Sequence, residues 1–114
     1  MAQRYNLPDI YKGDTFEKVQ FTILVDGTAL DLTGASIKSV FKKDKKQGSL
    51  IKTIEIGTGI TVTDATNGIF EFDAFDLDWD AGTYYYDIEI TDNSSVILTY
   101  VIGVINVILD VWAT

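Results

Sequence analysis

The stretch Asp80-Ala81-Gly82-Thr83-Tyr84-Tyr85-Tyr86-Asp87-Ile88-Glu89-Ile90-Thr91 decides how this chain is read. A turn-forming Asp-Ala-Gly opens it, and Tyr84, Tyr86, Ile88 and Ile90 then recur at period two, which places four large side chains on one face of an extended strand. Working outward, Asp92-Asn93-Ser94-Ser95 reads as a hairpin turn into a return strand from Val96 to Val111. Upstream, Ile69 to Asp73 carries the same β pattern, and Ala74 to Gly82 crosses between layers. Further upstream, Phe16 to Val25 predicts a strand with Val19, Phe21, Ile23 and Val25 on one face, closed by the tight-turn signal Asp26-Gly27. Leu30 to Gly34 is a short extended piece ended by a glycine turn. Ala35 to Lys43 alternates Ile37, Ser39 and Phe41 against Lys38, Val40 and Lys42. Leu50 to Ile56, with Leu50, Lys52, Ile54 and Ile56 on one face, and Ile60 to Thr63 complete the set. Seven or more short strands at spacings of about 8–12 residues, without helical periodicity, imply an antiparallel sandwich or barrel. No linker or internal repeat divides the chain, so 1–114 is expected to be one domain.

Composition agrees. Ile (14), Val (9) and Thr (13) supply 36 of 114 residues, against 7 Ala and 8 Leu, which favours pleated surfaces over helices. A chain of this length buries roughly two-thirds of its unfolded surface and can fold without staples. With no Cys and no His, it lacks disulfides, thiolate nucleophiles, an imidazole base and the usual zinc ligands, so no enzyme activity and no cofactor are expected. Seventeen acidic against nine basic residues give a net charge of −8, a field that repels nucleic acid and anionic membrane surfaces. Met1 to Tyr5 has no apolar segment of secretory type, so synthesis in a cytoplasm is expected.

The spacing Asp80-x-Gly82-x-Tyr84-x-Tyr86 is the pattern around the tyrosine corner of immunoglobulin-like sandwiches. In that corner the tyrosine hydroxyl bonds back to nearby backbone, and the residue two further on is a buried cysteine. Tyr84 is the expected corner. Tyr86 takes the cysteine position, so the predicted fold is an all-β, immunoglobulin-like antiparallel sandwich of about seven strands with no disulfide.

Four pieces occur in order across nearly the whole chain: Tyr11-Lys12-Gly13-Asp14-Thr15-Phe16, Leu30-Asp31-Leu32-Thr33-Gly34-Ala35, Ala81-Gly82-Thr83-Tyr84-Tyr85-Tyr86-Asp87, and Gly103 with Val107, Asp110 and Val111. In this order they resemble a family of small immunoglobulin-like proteins encoded among the structural genes of tailed bacteriophages, similar to the immunoglobulin-like module of phage baseplate upper proteins. The resemblance implies a non-catalytic virion component that binds other virion proteins. Trp112 departs from it, standing where a threonine is expected after Asp110-Val111. A free-standing single domain suits a capsid-surface decoration better than a bridge between tail parts. The alternatives are a tail or baseplate component, or an adhesion domain that contacts carbohydrate or host protein through Tyr85, Trp79 and Trp112.

Three constellations carry candidate chemistry. Asp73, Asp76, Asp78, Asp80 and Asp87 form the densest acidic cluster, and Asp76-x-Asp78-x-Asp80 with Asp87 twelfth imitates a calcium loop. Ala81 stands where that loop turns on glycine, so a solvated crossover that caps turns is the better reading, and nothing supports the sugar cleft a glycosidase carboxylate pair requires. Six of eight lysines fall between Lys38 and Lys52, making Lys42, Lys43, Lys45 and Lys46 a basic hairpin able to dock on an acidic neighbour or a second copy of the chain. Finally, the 14 residues from Val96 to Leu109 carry no charge, too few for the ~20 of a membrane helix. As a strand it is apolar on both faces, one of them holding Tyr100, Ile102 and Val104. Either Tyr5 to Tyr11 covers that face, or Tyr100, Ile102 and Val104, with Val111 and Trp112, form a partner interface. Gly103 permits a bulge or a close backbone approach.

Overall fold

Alternating runs of β-branched and aromatic residues zip into ladders wherever one face can be buried. The computed structural model describes residues 3–44 and 48–109. Its strands are β1 (Gln3–Arg4), β2 (Ile10–Tyr11), β3 (Thr15–Phe16), β4 (Val19–Thr22), β5 (Leu24–Val25), β6 (Thr28–Ala29) and β7 (Ser36–Lys43). There follow β8 (Leu50–Ile56), β9 (Gly59–Asp64), β10 (Ile69–Phe72), β11 (Phe75–Asp76), β12 (Gly82–Thr91) and β13 (Ile97–Ile108). Among the described residues there is one 3-10 turn, Ala65–Asn67, and no α-helix.

The main ladder curls into two layers. One has the order β1-β13-β12-β7-β8, with β2 also on β13, and the other has β9-β10-β4. They join where Glu55 and Ile56 pair in parallel with Gly59 and Ile60. In immunoglobulin lettering the layers are G-F-C-C′ and D-E-B, so the all-β, immunoglobulin-like sandwich is what the chain forms. The short pair β11–β3 fastens the crossover between β10 and β12 to the turn after β2, through Gly13 N–H to Leu77 O (2.7 Å) and Leu77 N–H to Asp14 O (3.0 Å).

Phe41, Phe70, Phe72, Tyr84, Ile88, Ile90 and Ile105 are each no more than 1% exposed. Phe41 stacks on Tyr86 (centroids 5.6 Å apart) and meets Phe72 of the opposite layer edge-on at 6.1 Å, while Phe72 contacts Tyr86 at 6.2 Å and Phe21 at 4.8 Å. Aromatic packing spans the two layers at the level where a disulfide closes many immunoglobulin domains. Ser39, fully buried on the inward face of β7, donates its hydroxyl to Asp87 O at 2.6 Å, so no polar atom is orphaned there.

Two expectations need correction. The strand expected from Phe16 to Val25 breaks at Ile23, whose N–H bonds Gly68 O and whose carbonyl accepts from Leu30 N–H. Leu24 and Val25 leave the layer to pair with Ala29 and Thr28 around Asp26 and Gly27, both at positive φ, and Val25 is exposed instead of joining Phe21 and Ile23. Along β8 only Ile54 is buried. Leu50 and Ile56 are exposed, and Lys52 lays its ammonium over the Phe75 ring, 4.6 Å from the centroid.

Candidate functional site

The tyrosine corner forms as the spacing requires. Gly82 opens β12 directly after Asp80-Ala81, and two residues later Tyr84, 1% exposed, donates its hydroxyl to Asp80 O at 2.6 Å. Its ring leans on Trp79 with centroids 4.9 Å apart, and burial, then Asp80 and Asp44, push the phenol above its ordinary pKa. Tyr84→Phe is expected to cost about 0.5–1.5 kcal/mol, read from the denaturant midpoint. A variant as stable as the parent would show that the corner bond contributes nothing.

Tyr86 does more than fill a cysteine position. Its hydroxyl crosses β13 and donates to the Tyr5 carbonyl. The path is open because Gly103 pairs with Tyr86 and carries no side chain: a Cβ there would lie 2.0 Å from Tyr5 O and 2.9 Å from Tyr86 Cε1. The first segment therefore lies flat along β13, with Tyr5 N–H to Ile102 O (2.8 Å), Leu7 N–H to Val104 O (2.9 Å) and Lys12 N–H to Ile108 O (2.8 Å). Burial first, and Tyr5 second, hold the Tyr86 phenol well above its ordinary pKa. Because the folded value is the higher, this contribution is complete below the ordinary phenol pKa of about 10 and is lost as pH rises above it, when unfolded chains release the proton first. Stability measured between about pH 8 and 11 should fall toward the alkaline end, and less steeply in Tyr86→Phe.

The close approach expected at Gly103 is present, but the bulge lies elsewhere. Ile88 pairs with Val101 and Glu89 with Thr99, so Tyr100 is the extra residue. The slip separates the predicted interface residues. Ile102 and Val104 stay half-buried on the outer face, whereas Tyr100 packs against the core and shares a groove with Phe21 and Leu24. The first segment covers the edge of β13, not that outer face, and puts Leu7 into the core. Val111 and Trp112 lie outside the described residues, as do Lys45 and Lys46. Lys42 and Lys43 end β7, both half-buried.

The acidic residues disperse. Asp78 and Asp80 face Lys12 at 3.0 and 3.9 Å, Asp76 accepts from Thr15 Oγ1 and Asp73 from Thr61 Oγ1, while Asp87 stands on the outer sheet face. Among the described residues no three acidic side chains converge as a metal site. Trp79 is half-buried, with Phe41, Phe75 and Tyr84 around it at centroid distances of 5.4, 5.9 and 4.9 Å.

The feature that sequence reasoning half read is an apolar end, since the uncharged run from Val96 was expected to meet a partner but the β5–β6 hairpin beside it was not. Val96, Ile97 and Leu98 are 48, 59 and 51% exposed at the β12–β13 hairpin, and Leu24 and Val25 are 58 and 43% exposed on the β5–β6 hairpin. Both hairpins emerge at the same end: a Cβ on Gly34 would sit 3.6 Å from Asn93 Cβ, and Leu24 lines its groove together with Tyr100. The signal in the sequence was an uncharged run that begins before its strand does.

Compared with known proteins, the chain matches no family model and no curated protein. Among solved structures it is similar to CopC from Methylosinus trichosporium OB3b, at 13% identity over 90% of this chain and 87% of that one, with a TM-score of 0.48. It is also similar to extracellular domains 3–5 of Drosophila OTK, at 19% identity over 90% of this chain and 33% of that one, with a TM-score of 0.38. These likenesses carry no functional argument. No helix among the described residues is long and apolar enough to cross a membrane.

Proposed function

We propose that this immunoglobulin-like domain is a non-enzymatic structural or accessory protein of a tailed-phage particle that binds other virion proteins, with decoration of the capsid surface as the first assignment and a tail or baseplate position as the second. The ordered phage-type segments described above supply the particle. The observation that supports docking is the apolar end, where Leu24, Val25, Val96, Ile97 and Leu98 all stand exposed. Five such side chains at one end of a small sandwich are unfavourable in water and favour burial against a partner.

The test is co-purification with particles. Ile97→Lys combined with Leu98→Glu removes apolar surface from exposed positions, so folding should be unchanged while occupancy on purified particles falls at least tenfold. Parent protein that does not travel with particles, or a folded double variant at full occupancy, overturns the reading.

A further inference from the structure

The outer face of the β7–β12 pair carries charge in columns. Lys38 and Lys42 stand on β7, Asp87 and Glu89 on β12, and the register sets Lys38 between Glu89 and Glu55 of β8, Val40 beside Asp87 and Lys42 beside Tyr85, while Arg4 of β1 lines the same face beside Ile102. Despite this proximity, the ion pairs formed among the described residues are those of Lys12 with Asp78 and Asp80, so both columns remain uncommitted. Ile102, next to Asp87 on β13, extends the face with half-buried apolar surface.

We infer that this face is a self-complementary interface for a second copy of the chain, related by a two-fold axis that runs parallel to the strands between β7 and β12. Such an axis exchanges the two columns. Lys38 then lies over the partner's Glu89, and the partner's Lys38 over Glu89, each contact occurring twice as an isologous interface requires. Asp87 falls between the partner's Lys38 and the partner's Lys42, while Lys42 meets the ring of the partner's Tyr85. An axis perpendicular to the strands would instead stack Lys38 on Lys42, so the charge pattern selects one orientation. Burial raises the Asp87 carboxyl above its ordinary pKa, and Glu89 adds to this, against the opposing pull of Lys42, the Val40 N–H and Lys38. Cations arriving from a partner relieve that cost. The axis overlays four strand columns, β8, β7, β12 and β13, which at about 4.8 Å apart and about seven residues long make a footprint of roughly 440 Å² per copy, below the usual range for a specific interface. The dimer is therefore expected to be weak and sensitive to salt.

The inference does not depend on the particle assignment and is tested on the full chain alone. Sedimentation equilibrium across the micromolar to millimolar range should show a concentration-dependent dimer that weakens with added salt. Lys38→Glu and Glu89→Lys should each weaken it at least tenfold, because each places like charges opposite one another twice. Mixing the two variants in equal amounts should restore a dimer, and so should the double exchange within one chain. Glu89→Gln provides the milder variant and must also weaken association if Glu89→Lys does not fold. A parent that stays monomeric throughout, single variants that dimerise normally, or a mixture that fails to associate would each overturn the proposal.

Discussion

Gly103→Val should release the first segment from the rest of the domain and produce one of the two largest losses of stability available by single substitution. The new Cβ would fall 2.0 Å from the Tyr5 carbonyl oxygen and 2.7 Å from its carbon, both backbone atoms that cannot swing aside as a side chain can. Peeling the segment away exposes Leu7, now 4% accessible, at a cost of about 1.5–3 kcal/mol. It also strands the Tyr86 hydroxyl, for about 1–3 kcal/mol more. Hydrogen exchange reads the result directly: amide protection at Tyr5, Leu7 and Lys12 should vanish in the variant while that along β12 and β7 persists. Gly103→Ala suffices for the clash and serves if the valine variant does not fold. Unchanged protection at Tyr5 would show that the segment tolerates a side chain beneath it.

Phe72→Ala is the second. The ring is 0% exposed and touches Phe21, Phe41 and Tyr86, so it contacts β4 within its own layer and both β7 and β12 in the other. Truncation leaves a cavity between two sheets whose backbones are fixed by their ladders, and the expected loss is about 3–5 kcal/mol. Against the 5–15 kcal/mol typical of a domain, that is a large share, with no disulfide to hold the layers in reserve. Denaturant unfolding of Phe72→Ala beside Phe72→Leu separates cavity from chemistry. A loss below about 1 kcal/mol in the alanine variant would show that the layers collapse onto the gap.

What the sequence disclosed depended on how local each feature is. The corner was legible because Asp80, Gly82 and Tyr84 act within five residues, and the alternation of Ile37, Ser39 and Phe41 was legible because one strand buries one face. The bulge at Tyr100 was not, since it is a property of β12 and β13 together: nothing in the run from Val96 onward says that Val101, and not Tyr100, will oppose Ile88. The same holds for Val25, which continues the period of Phe21 and Ile23 but is turned out by bonds that Gly68 and Leu30 make to Ile23. The apolar end emerges only when two hairpins distant in sequence are brought to one end of the sandwich.

The first segment and β13 run parallel, with Gln3 beside Val101 and Tyr11 beside Ile108. A pull that draws Gln3 and Leu109 apart along the strand axis must therefore slide one strand lengthwise over the other. The bonds at Tyr5, Leu7 and Lys12 lie across that motion and are strained at the same moment, whereas an antiparallel hairpin pulled from its open end yields one rung at a time. The domain is in effect a shear clamp: under tension its rupture force resides in the contact between a strand edge and a segment of nine residues from Gln3 to Tyr11, with the bare Cα of Gly103 as the seat that lets the two surfaces close.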